Sequence, residues 1–498
     1  MGIPTLDANF EGLMKKSLLF AMICCFAMQS SAQQVIISNL PRPSGAMSNN
    51  RVIGDNKGGI YVLRYRDIDI KRHISLDRYS HNLDLLEEQN IAFKNKQKLI
   101  RIFTRDSGLV YIQHTGPEKS IDVQAVFFGF SLKKDPEIIK LGGGFRAESE
   151  DGIAADYSQN RVWCSVWIEE EAENGNQRIR NILFNIPENK TYSTVQNLQF
   201  NHRDMRIAQT AVSNSGLSSC IVEFNDDSKR KSDPASKQYF ACTFSSNSTS
   251  EPFALGAGKF FISGIELVCD EFSGKFTTCG FYDFKNSEAA HGVFRVNYNL
   301  FQQDEAIMTP INRKTVADII GNANEEAGKE PEHFYVRKLI PRSDGGLLMV
   351  SENFQISQQL ETFFLNGIPQ TSSKNVYNYN DVLFLALDSA GNNEWNYLLH
   401  KRQSSFSSSN HYNSIATFVC DSFVHLLYND NISQNNRVMY VSLGRSGKML
   451  QKVLFSSENA YTAVIPSEGK QTGFNRFVVP LVTDKQTYFL KVRESDTP

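Results

Sequence analysis

Short apolar runs rich in Val, Ile, Phe and Tyr recur about every 8–15 residues along the chain, between clusters of Gly, Asn, Asp and Ser. This pattern predicts β-strands joined by tight turns, and helical periodicity is nearly absent. An apolar strand, a polar turn and a second apolar strand recur in degenerate form, for example at 128–139, 294–300 and 439–447. Another strand pair precedes each such hairpin, so two hairpins form a four-stranded antiparallel unit of about 45 residues.

Seven complete units can be delimited, and each predicts one small sheet. They span 51–87, 99–141, 152–197, 206–255, 259–308, 333–400 and 413–455. A lone four-stranded unit exposes both faces and both edges, and stacking such units radially buries the apolar faces. The pattern therefore predicts an all-β fold, a β-propeller.

The two ends of the mature chain predict an eighth unit. The C-terminal segment offers three strands, near 460–465, 475–483 and 486–492, and the segment 34–38 can supply the fourth. Pairing the first and last segments would close the ring and remove an open sheet edge. We predict eight four-stranded blades with the last blade closed by the N-terminal strand. Seven blades with an extra hairpin is the nearest alternative, and a two-domain β-sandwich is a more distant one.

Two segments interrupt the repeat. Residues 313–327 show near-helical apolar spacing and end at Gly328, which predicts a short surface helix between units five and six. Residues 353–379 are rich in Ser, Gln and Asn and are interpreted as a polar loop within unit six. Neither segment resembles a domain linker, so residues 33–498 are expected to form a single domain.

The first 32 residues match the three regions of a secretory signal peptide. Lys15 and Lys16 precede an apolar run at 18–28, and small residues follow up to Ala32. The run is shorter than the roughly 20 residues that span a bilayer, and no other segment of the sequence is suited to crossing one. We expect an exported protein without a transmembrane segment, located in the periplasm, at the cell surface or outside the cell. A buried helix at 18–28 is the alternative.

Composition and charge argue against two classes of binding partner. The 498 residues are 41% apolar and carry 52 basic and 54 acidic side chains, a net charge of about −2 without long runs of one sign. This is the composition of an ordinary soluble globular protein. It argues against general affinity for nucleic acid or for an anionic membrane.

Six cysteines lie outside the signal segment, and two pairings are open. Cys269 and Cys279 flank a predicted hairpin turn, and Cys220 and Cys242 lie on neighbouring predicted strands. An exported protein can oxidise such pairs to disulfides. The alternative is that all six are buried free thiols, which pack as small apolar side chains.

One segment carries a recognisable repeat. Residues 386–395, with Asp388, Gly391 and Trp395, resemble the repeat of quinoprotein-like propellers, in which Asp and Gly shape the turn and Trp docks between blades. The other units lack this Trp, so no quinone cofactor is expected. Units six and seven are more broadly similar to uncharacterised exported propeller-like proteins of Bacteroidota, and that resemblance implies an envelope location. It rests on 335–340, 344–346, 380–381 and 428–430.

Sequence motifs for catalysis, metal binding and nucleotide binding were not found, so no catalytic residue, metal or cofactor is predicted. Topology is more informative, because the long connections at 170–177, 225–237, 353–379 and 429–436 all emerge on one side of a propeller. Loops on a rigid scaffold commonly carry binding residues. The candidate binding residues at this face are Glu352, Asn380, Asp381, Lys401, Gln403, Asn429 and Asp430. The alternative is that they only cap strands and turns.

Two functions are open at this stage. The preferred hypothesis is a non-enzymatic binding scaffold that contacts an envelope protein or a glycan through the face with the long connections. The alternative is a carbohydrate-active enzyme, a glycoside hydrolase or lyase, with Glu352 and Asp381 as paired carboxylates. Carboxylates perform such acid–base work when they lie about 5–9.5 Å apart.

Overall fold

A computed structural model gives the structure of most of the mature chain. The residues it describes are 33–39, 42–43, 49–65, 73–93, 97–117, 120–147, 152–171, 177–198, 205–226, 228–256, 260–284, 289–365, 368–420, 423–431, 436–456, 462–483 and 486–494. The signal peptide predicted at 1–32 lies outside the described residues.

The described residues are mainly β-strands, as the alternating apolar pattern predicts. In chain order they are β1 (Gln33–Ile37), β2 (Arg42–Pro43), β3 (Asn49–Asn56), β4 (Gly59–Tyr65), β5 (His73–Tyr79), β6 (Leu85–Ala92), β7 (Gln97–Arg105), β8 (Gly108–Thr115), β9 (Ile121–Phe128), β10 (Glu137–Phe145), β11 (Ile153–Tyr157), β12 (Trp163–Glu171), β13 (Gln177–Asn185), β14 (Lys190–Leu198), β15 (Met205–Val212), β16 (Ser218–Asn225), β17 (Lys237–Phe244), β18 (Phe253–Leu255), β19 (Phe261–Asp270), β20 (Lys275–Asp283), β21 (Gly292–Tyr298), β22 (Ile307–Pro310), β23 (Phe334–Pro341), β24 (Leu347–Leu365), β25 (Ile368–Leu387), β26 (Asn393–Leu399), β27 (Gln403–Phe406), β28 (Ala416–Cys420), β29 (Phe423–Asn429), β30 (Arg437–Gly444), β31 (Met449–Ser456), β32 (Thr462–Val464), β33 (Lys470–Gly473), β34 (Arg476–Thr483) and β35 (Gln486–Glu494).

These strands form eight antiparallel sheets, which confirms the predicted eight-bladed propeller. Blades 1 to 5 consist of β3–β6, β7–β10, β11–β14, β15–β18 and β19–β22, in that order. Blade 6 contains β23–β26 with β27 added, and blade 7 contains β28–β31. The first strands of blades 1 to 6 contact one another in sequence, and β33 contacts both β28 and β3. The first strands therefore surround a central channel.

Blade 8 joins the two ends of the chain. Its sheet order is β1-β35-β34-β32, with β33 also paired to β34 and β2 to β35. Strand β1 runs antiparallel to β35, with Val35 opposite Val492 and Ile37 opposite Leu490. Just after β1, the Ser38 hydroxyl accepts a hydrogen bond of 3.0 Å from the Phe489 amide. The predicted closure by the N-terminal strand is therefore confirmed.

The hydrophobic core is divided among the blade interfaces. Eight apolar clusters are present, and each joins two adjacent blades around the ring. At the interface of blades 8 and 1, for example, Val478 and Phe489 pack with Val62 and Tyr79. Trp395 of blade 6 donates a hydrogen bond of 2.8 Å from Nε1 to the Arg445 carbonyl in blade 7. Stacking between neighbours therefore buries the apolar faces of every sheet.

Irregularities recur in the innermost strands. Six of the eight blades have a register shift there, and the residues that follow these shifts are Gly54, Arg101, Gln209, Glu266, Lys338 and Gly473. A β-bulge bends a strand and re-aims the side chain next to it. At four of the six positions the residue after the shift has a long polar side chain, namely Arg101, Gln209, Glu266 and Lys338.

The interpretation of 353–379 as a loop is wrong. Strands β24 and β25 continue through this segment as a two-stranded ribbon, paired from Phe354 opposite Tyr379 out to Leu365 opposite Ile368. Ile356, Leu360 and Phe364 share one side of β24 with Gln358 and Thr362, because side chains two positions apart point to the same side. The other side of β24 is mainly polar and includes Phe363.

The insertion at 313–327 contains two short helices rather than one. Helix α1 spans Arg313–Ile320 and helix α2 spans Asn322–Glu326. Asn312 caps α1 by accepting a hydrogen bond from the Thr315 amide. Gly321, with φ of 86°, ends α1. Among the described residues, no helix has the length and apolar character needed to span a bilayer.

Candidate functional site

The second strand of every blade ends on one side of the ring, which we call the upper face. The connections between second and third strands lie on this face, and so do the exits from the fourth strands. In blade 6 the second strand continues beyond the sheet as the ribbon of β24 and β25. The candidate residues predicted from the sequence all belong to the upper face.

Four of these candidates meet in one buried polar network. The Glu352 carboxylate lies 2.7 Å from the Lys401 ammonium, and both side chains are almost fully buried. Lys401 also donates to the Gln403 side-chain oxygen at 2.9 Å, and Gln403 donates to the Asn429 carbonyl at 2.6 Å. The network therefore runs from blade 6 into blade 7.

Further partners satisfy the same groups. The second Glu352 oxygen accepts from the Arg337 guanidinium at 2.9 Å and from the Ser414 hydroxyl at 2.6 Å. The Asn429 amide donates to the carbonyls of Tyr412 and Val464, and so ties blade 7 to blade 8. Burial lowers the pKa of Lys401, although the adjacent Glu352 carboxylate opposes this shift. This arrangement fixes the loops between blades and leaves Glu352 closed to ligand.

The other three candidates lie around the edge of this network. Asn380 donates to the Asn353 side chain at 3.1 Å beside the bulge in β24. Asp381 accepts from the Lys401 amide at 3.3 Å, and its side chain is about a quarter exposed. Asp430 forms an exposed ion pair with Arg437. The structure thus brings Glu352, Lys401, Gln403 and Asn429 together, and it leaves Asp430 outside the cluster.

Glu352 and Asp381 leave opposite sides of the blade. Glu352 lies directly opposite Val382 in the register of β24 and β25, so these two side chains share one sheet face. Asp381 precedes Val382, and successive side chains of a strand point to opposite faces.

The structure places the two predicted cysteine pairs differently. Cys220 lies directly opposite Cys242 in β16 and β17, whereas Cys269 lies opposite Phe276 and Cys279 lies opposite Glu266. The hairpin turn closes between Asp270 and Lys275, so Cys269 is one residue from it and Cys279 four. The structure therefore does not place Cys269 and Cys279 face to face. Cys220, Cys242, Cys269 and Cys279 are free thiols in the structure.

A cavity that the sequence analysis missed opens on the upper face between blades 4, 5 and 6. Its volume is about 420 Å³. The side chains that can take part in hydrogen bonds there are Arg206, Gln209, Glu223, Ser236, Lys237, Tyr239, Ser263, Asp283, His333 and Tyr335. These residues lie at or near the ends of strands, and they belong to no sequence motif that would indicate a binding site. The mixture of charged, amide and phenolic groups suits a polar ligand.

Charge in this cavity is centred on Glu223. Arg206 lies 2.9 Å and Lys237 3.5 Å from its carboxylate. Burial alone would raise the pKa of Glu223, but the Arg206 hydrogen bond and the two positive charges outweigh it and lower the pKa below its ordinary value. Burial, together with the Glu223 charge, raises the pKa of Tyr239. At neutral pH the cavity therefore holds a carboxylate between two cations, and a phenol.

The ribbon carries an exposed apolar stripe. Ile356, Leu360 and Phe364 occupy every fourth position of β24 on one side of the ribbon, and they are 51%, 70% and 73% exposed. At the base of the same side, Phe354 packs against Tyr379 with ring centroids 4.6 Å apart. Tyr335, which lines the cavity, lies 6.0 Å from Phe354. The stripe and the cavity are therefore parts of one continuous surface.

Comparison with protein-family models finds no match for the chain, and comparison with curated protein sequences finds none either. Solved structures that resemble it do so at low identity. The WD40 domain of SCAP from fission yeast is 8% identical, with a TM-score of 0.38, over 91% of this chain and 98% of that one. The β-propeller domain of Nup133 from Vanderwaltozyma polyspora is 9% identical, with a TM-score of 0.38, over 81% and 99%. The polysaccharide lyase Uly1 is 10% identical, with a TM-score of 0.37, over 81% and 94%.

The eight sheets of the chain itself define its class, a β-propeller. Propellers host many unrelated functions, so function has to be argued from the residues of the upper face.

Proposed function

We propose that this protein is a non-enzymatic binding scaffold that holds a protein partner on its upper face, with the ribbon as the main contact. The exposed stripe of Ile356, Leu360 and Phe364 is the observation that carries this proposal. Three large apolar side chains on one side of a projecting ribbon are unfavourable in water, and such patches commonly mark interaction surfaces.

A protein fits this surface better than a glycan because the ribbon also has an open backbone edge. Strand β23 pairs with β24 only as far as Asn353. Beyond Phe354, no strand among the described residues pairs with the edge of β24 that faces away from β25. An extended segment of a partner can add to this edge through backbone hydrogen bonds and cover the stripe with its own apolar side chains.

Catalysis by the paired carboxylates is not part of the proposal. Glu352 is fully buried and its oxygens are engaged by Lys401, Arg337 and Ser414. A general acid or base has to reach the proton that it transfers, directly or through one water. Export to the bacterial envelope remains part of the proposal, on the strength of the signal-peptide pattern in the sequence.

Envelope extract passed over the immobilised protein tests this function when three forms are compared. The stripe variant carries Ile356→Ser, Leu360→Ser and Phe364→Ser. The matched control carries Gln355→Ser, Ser357→Ala and Gln359→Ser on the opposite side of the ribbon. A partner should be retained by the wild type and by the control, and lost with the stripe variant.

The retained protein is then purified and titrated against all three forms by calorimetry. Removing three buried apolar contacts should weaken affinity at least about a hundredfold, since each contributes roughly 1.5–3 kcal/mol when fully buried. Equal affinity for the wild type and the stripe variant would contradict the proposal. Binding to a glycan array, with no protein retained from the extract, would contradict it as well.

A further inference from the structure

The central channel gathers charged side chains from five different blades. Arg101, Asp156, Glu266, Lys338 and Lys470 belong to the innermost strands β7, β11, β19, β23 and β33. Three of them, Arg101, Glu266 and Lys338, directly follow the strand bulges. Blades that are not neighbours meet here, since the Lys470 ammonium of blade 8 lies 5.9 Å from the centre of the Tyr157 ring in blade 3.

Two ammonium groups in this channel, those of Lys338 and Lys470, form no close ion pair among the described residues, although the charge of Lys470 acts on the Asp156 carboxylate from a longer distance. Lys338 donates to the Thr417 carbonyl at 3.3 Å, one bond for a group with three donors. Lys470 contacts the face of the Tyr157 ring. Burial lowers the pKa of Lys338 to about 8, and the positive charge of Lys470 adds to this shift. The two lysines therefore repel each other across the channel.

The two carboxylates of the channel do not compensate the lysines, because Asp156 pairs with an arginine and Glu266 is only partly ionised at neutral pH. Asp156 lies 3.3 Å from the guanidinium of Arg101. Burial raises the pKa of Glu266 to about 7, and the charge of Asp156 adds to this effect. At neutral pH the channel therefore holds more positive than negative charge at this level. A buried cation is costly unless an opposite charge accompanies it.

We propose that the central channel binds a small oxyanion, the phosphate, sulfate or carboxylate group of a ligand, between Lys338 and Lys470. Such a group would accept hydrogen bonds from both ammonium groups and replace the repulsion between them with two attractions. Tyr157 bounds the site on the side of blade 3, and Arg101, 5.7 Å from the centre of the same ring, keeps the Asp156 carboxylate paired. The site is separate from the ribbon and does not depend on the partner proposed above.

Anion titration of the intact mature chain tests this site. Sodium sulfate and sodium acetate are the two probes, and each is compared with sodium chloride at equal ionic strength by calorimetry and thermal unfolding. Saturable binding and a rise in Tm are expected for at least one probe, and the probe that is effective identifies the charge and shape that the site accepts. Equal behaviour of both probes and chloride would overturn the proposal.

Substitutions then locate the binding. Lys338→Met and Lys470→Met should each lower affinity about tenfold or more, because each removes a charge-assisted hydrogen bond. The matched control is Lys448→Met, an exposed lysine in the β30–β31 turn, and it should bind as the wild type does. In chloride alone, Lys338→Met should raise Tm, because a buried, uncompensated charge is removed. Unchanged affinity in both channel variants would place any binding elsewhere and overturn the assignment.

Discussion

Glu352 and Lys401 show how a side chain that looks functional in the sequence can be structural. Both were expected at the upper face because they stand at strand ends beside long connections, and both do lie there. Their side chains are nevertheless buried against each other at 2.7 Å. Removing one partner of a buried ion pair leaves the other charge buried without a counter-charge, which destabilises the fold. Exposed ion pairs contribute little to stability.

Glu352→Gln should therefore lower the free energy of unfolding by about 3–5 kcal/mol. Denaturant unfolding monitored by tryptophan fluorescence would measure this loss. Asp430→Asn, which breaks the exposed pair with Arg437, is the control and should cost no more than about 1 kcal/mol. The double variant Glu352→Gln with Lys401→Met should recover part of the loss. A Glu352→Gln protein as stable as the control would contradict the structural role.

Glu266 predicts a specific dependence of stability on pH. Burial raises its pKa from 4.5 to about 7 in the folded protein. The folded chain then binds more protons than the unfolded chain between these values, so this residue lowers stability as pH rises through that window. Glu266→Gln removes the effect, and its Tm relative to wild type should increase between pH 5 and pH 8. Glu188→Gln, at an exposed turn, is the control; a parallel trend in both variants would contradict the prediction.

At the scale of elements, the ribbon is the largest departure from expectation. Its many Ser, Gln and Asn residues suggested a loop, yet Phe354, Ile356, Leu360 and Phe364 are separated by two or four residues. That spacing is the period of a strand with one apolar side. The signal was present in the sequence, but the unusual length of β24 and the lack of a core under the ribbon obscured it.

Shortening the ribbon should leave the propeller intact. Deleting 359–374 and joining Gln358 to Asn375 through an Asn-Gly turn keeps the register, because these two residues are cross-strand partners. Tm should stay within a few degrees of wild type, because the deleted part contributes no residue to the eight core clusters. Thermal unfolding measures this, and a large drop in Tm would show that the ribbon supports the blades.

The innermost strands illustrate what sequence could not provide. The strands that carry Arg101, Glu266 and Lys338 fall within the predicted units two, five and six, but the bulge in each of them shifts the register by one residue. No local composition marks those shifts. The cavity of blades 4 to 6 was missed for a similar reason, since residues such as Tyr239 and Ser263 become neighbours only after the blades have packed.

At the scale of the whole molecule, the repeat predicted more than any single motif did. Blade number and closure followed from counting strands, because three C-terminal strands and one N-terminal strand were left over. Blade 8 confirms that count, with β1 paired to β35. Val35 and Ile37 pack toward blade 7, and Ile36 packs toward blade 1. The N-terminal strand therefore contributes to two interfaces.

Placing a charge in this strand should destabilise the entire ring. Ile36→Asp would bury a carboxylate in the cluster between blades 8 and 1, and we expect a loss of at least about 3 kcal/mol together with aggregation through the exposed edge of β35. Gln34→Asp, at an exposed position near the start of the same strand, is the control. Thermal unfolding and light scattering would measure both effects, and equal Tm values for the two variants would contradict a closing role for β1.

Closure by β1 also sets the order of events during synthesis. The Ser38 hydroxyl and the Phe489 amide that bond to each other are 451 residues apart in the chain. At roughly 5–20 residues per second, a ribosome needs about 20 to 90 seconds to make that interval. During this time β1 has no strand to pair with, and seven finished blades would present an open end. A chaperone or an export channel that keeps the chain extended until its last strand emerges would spare it that exposure.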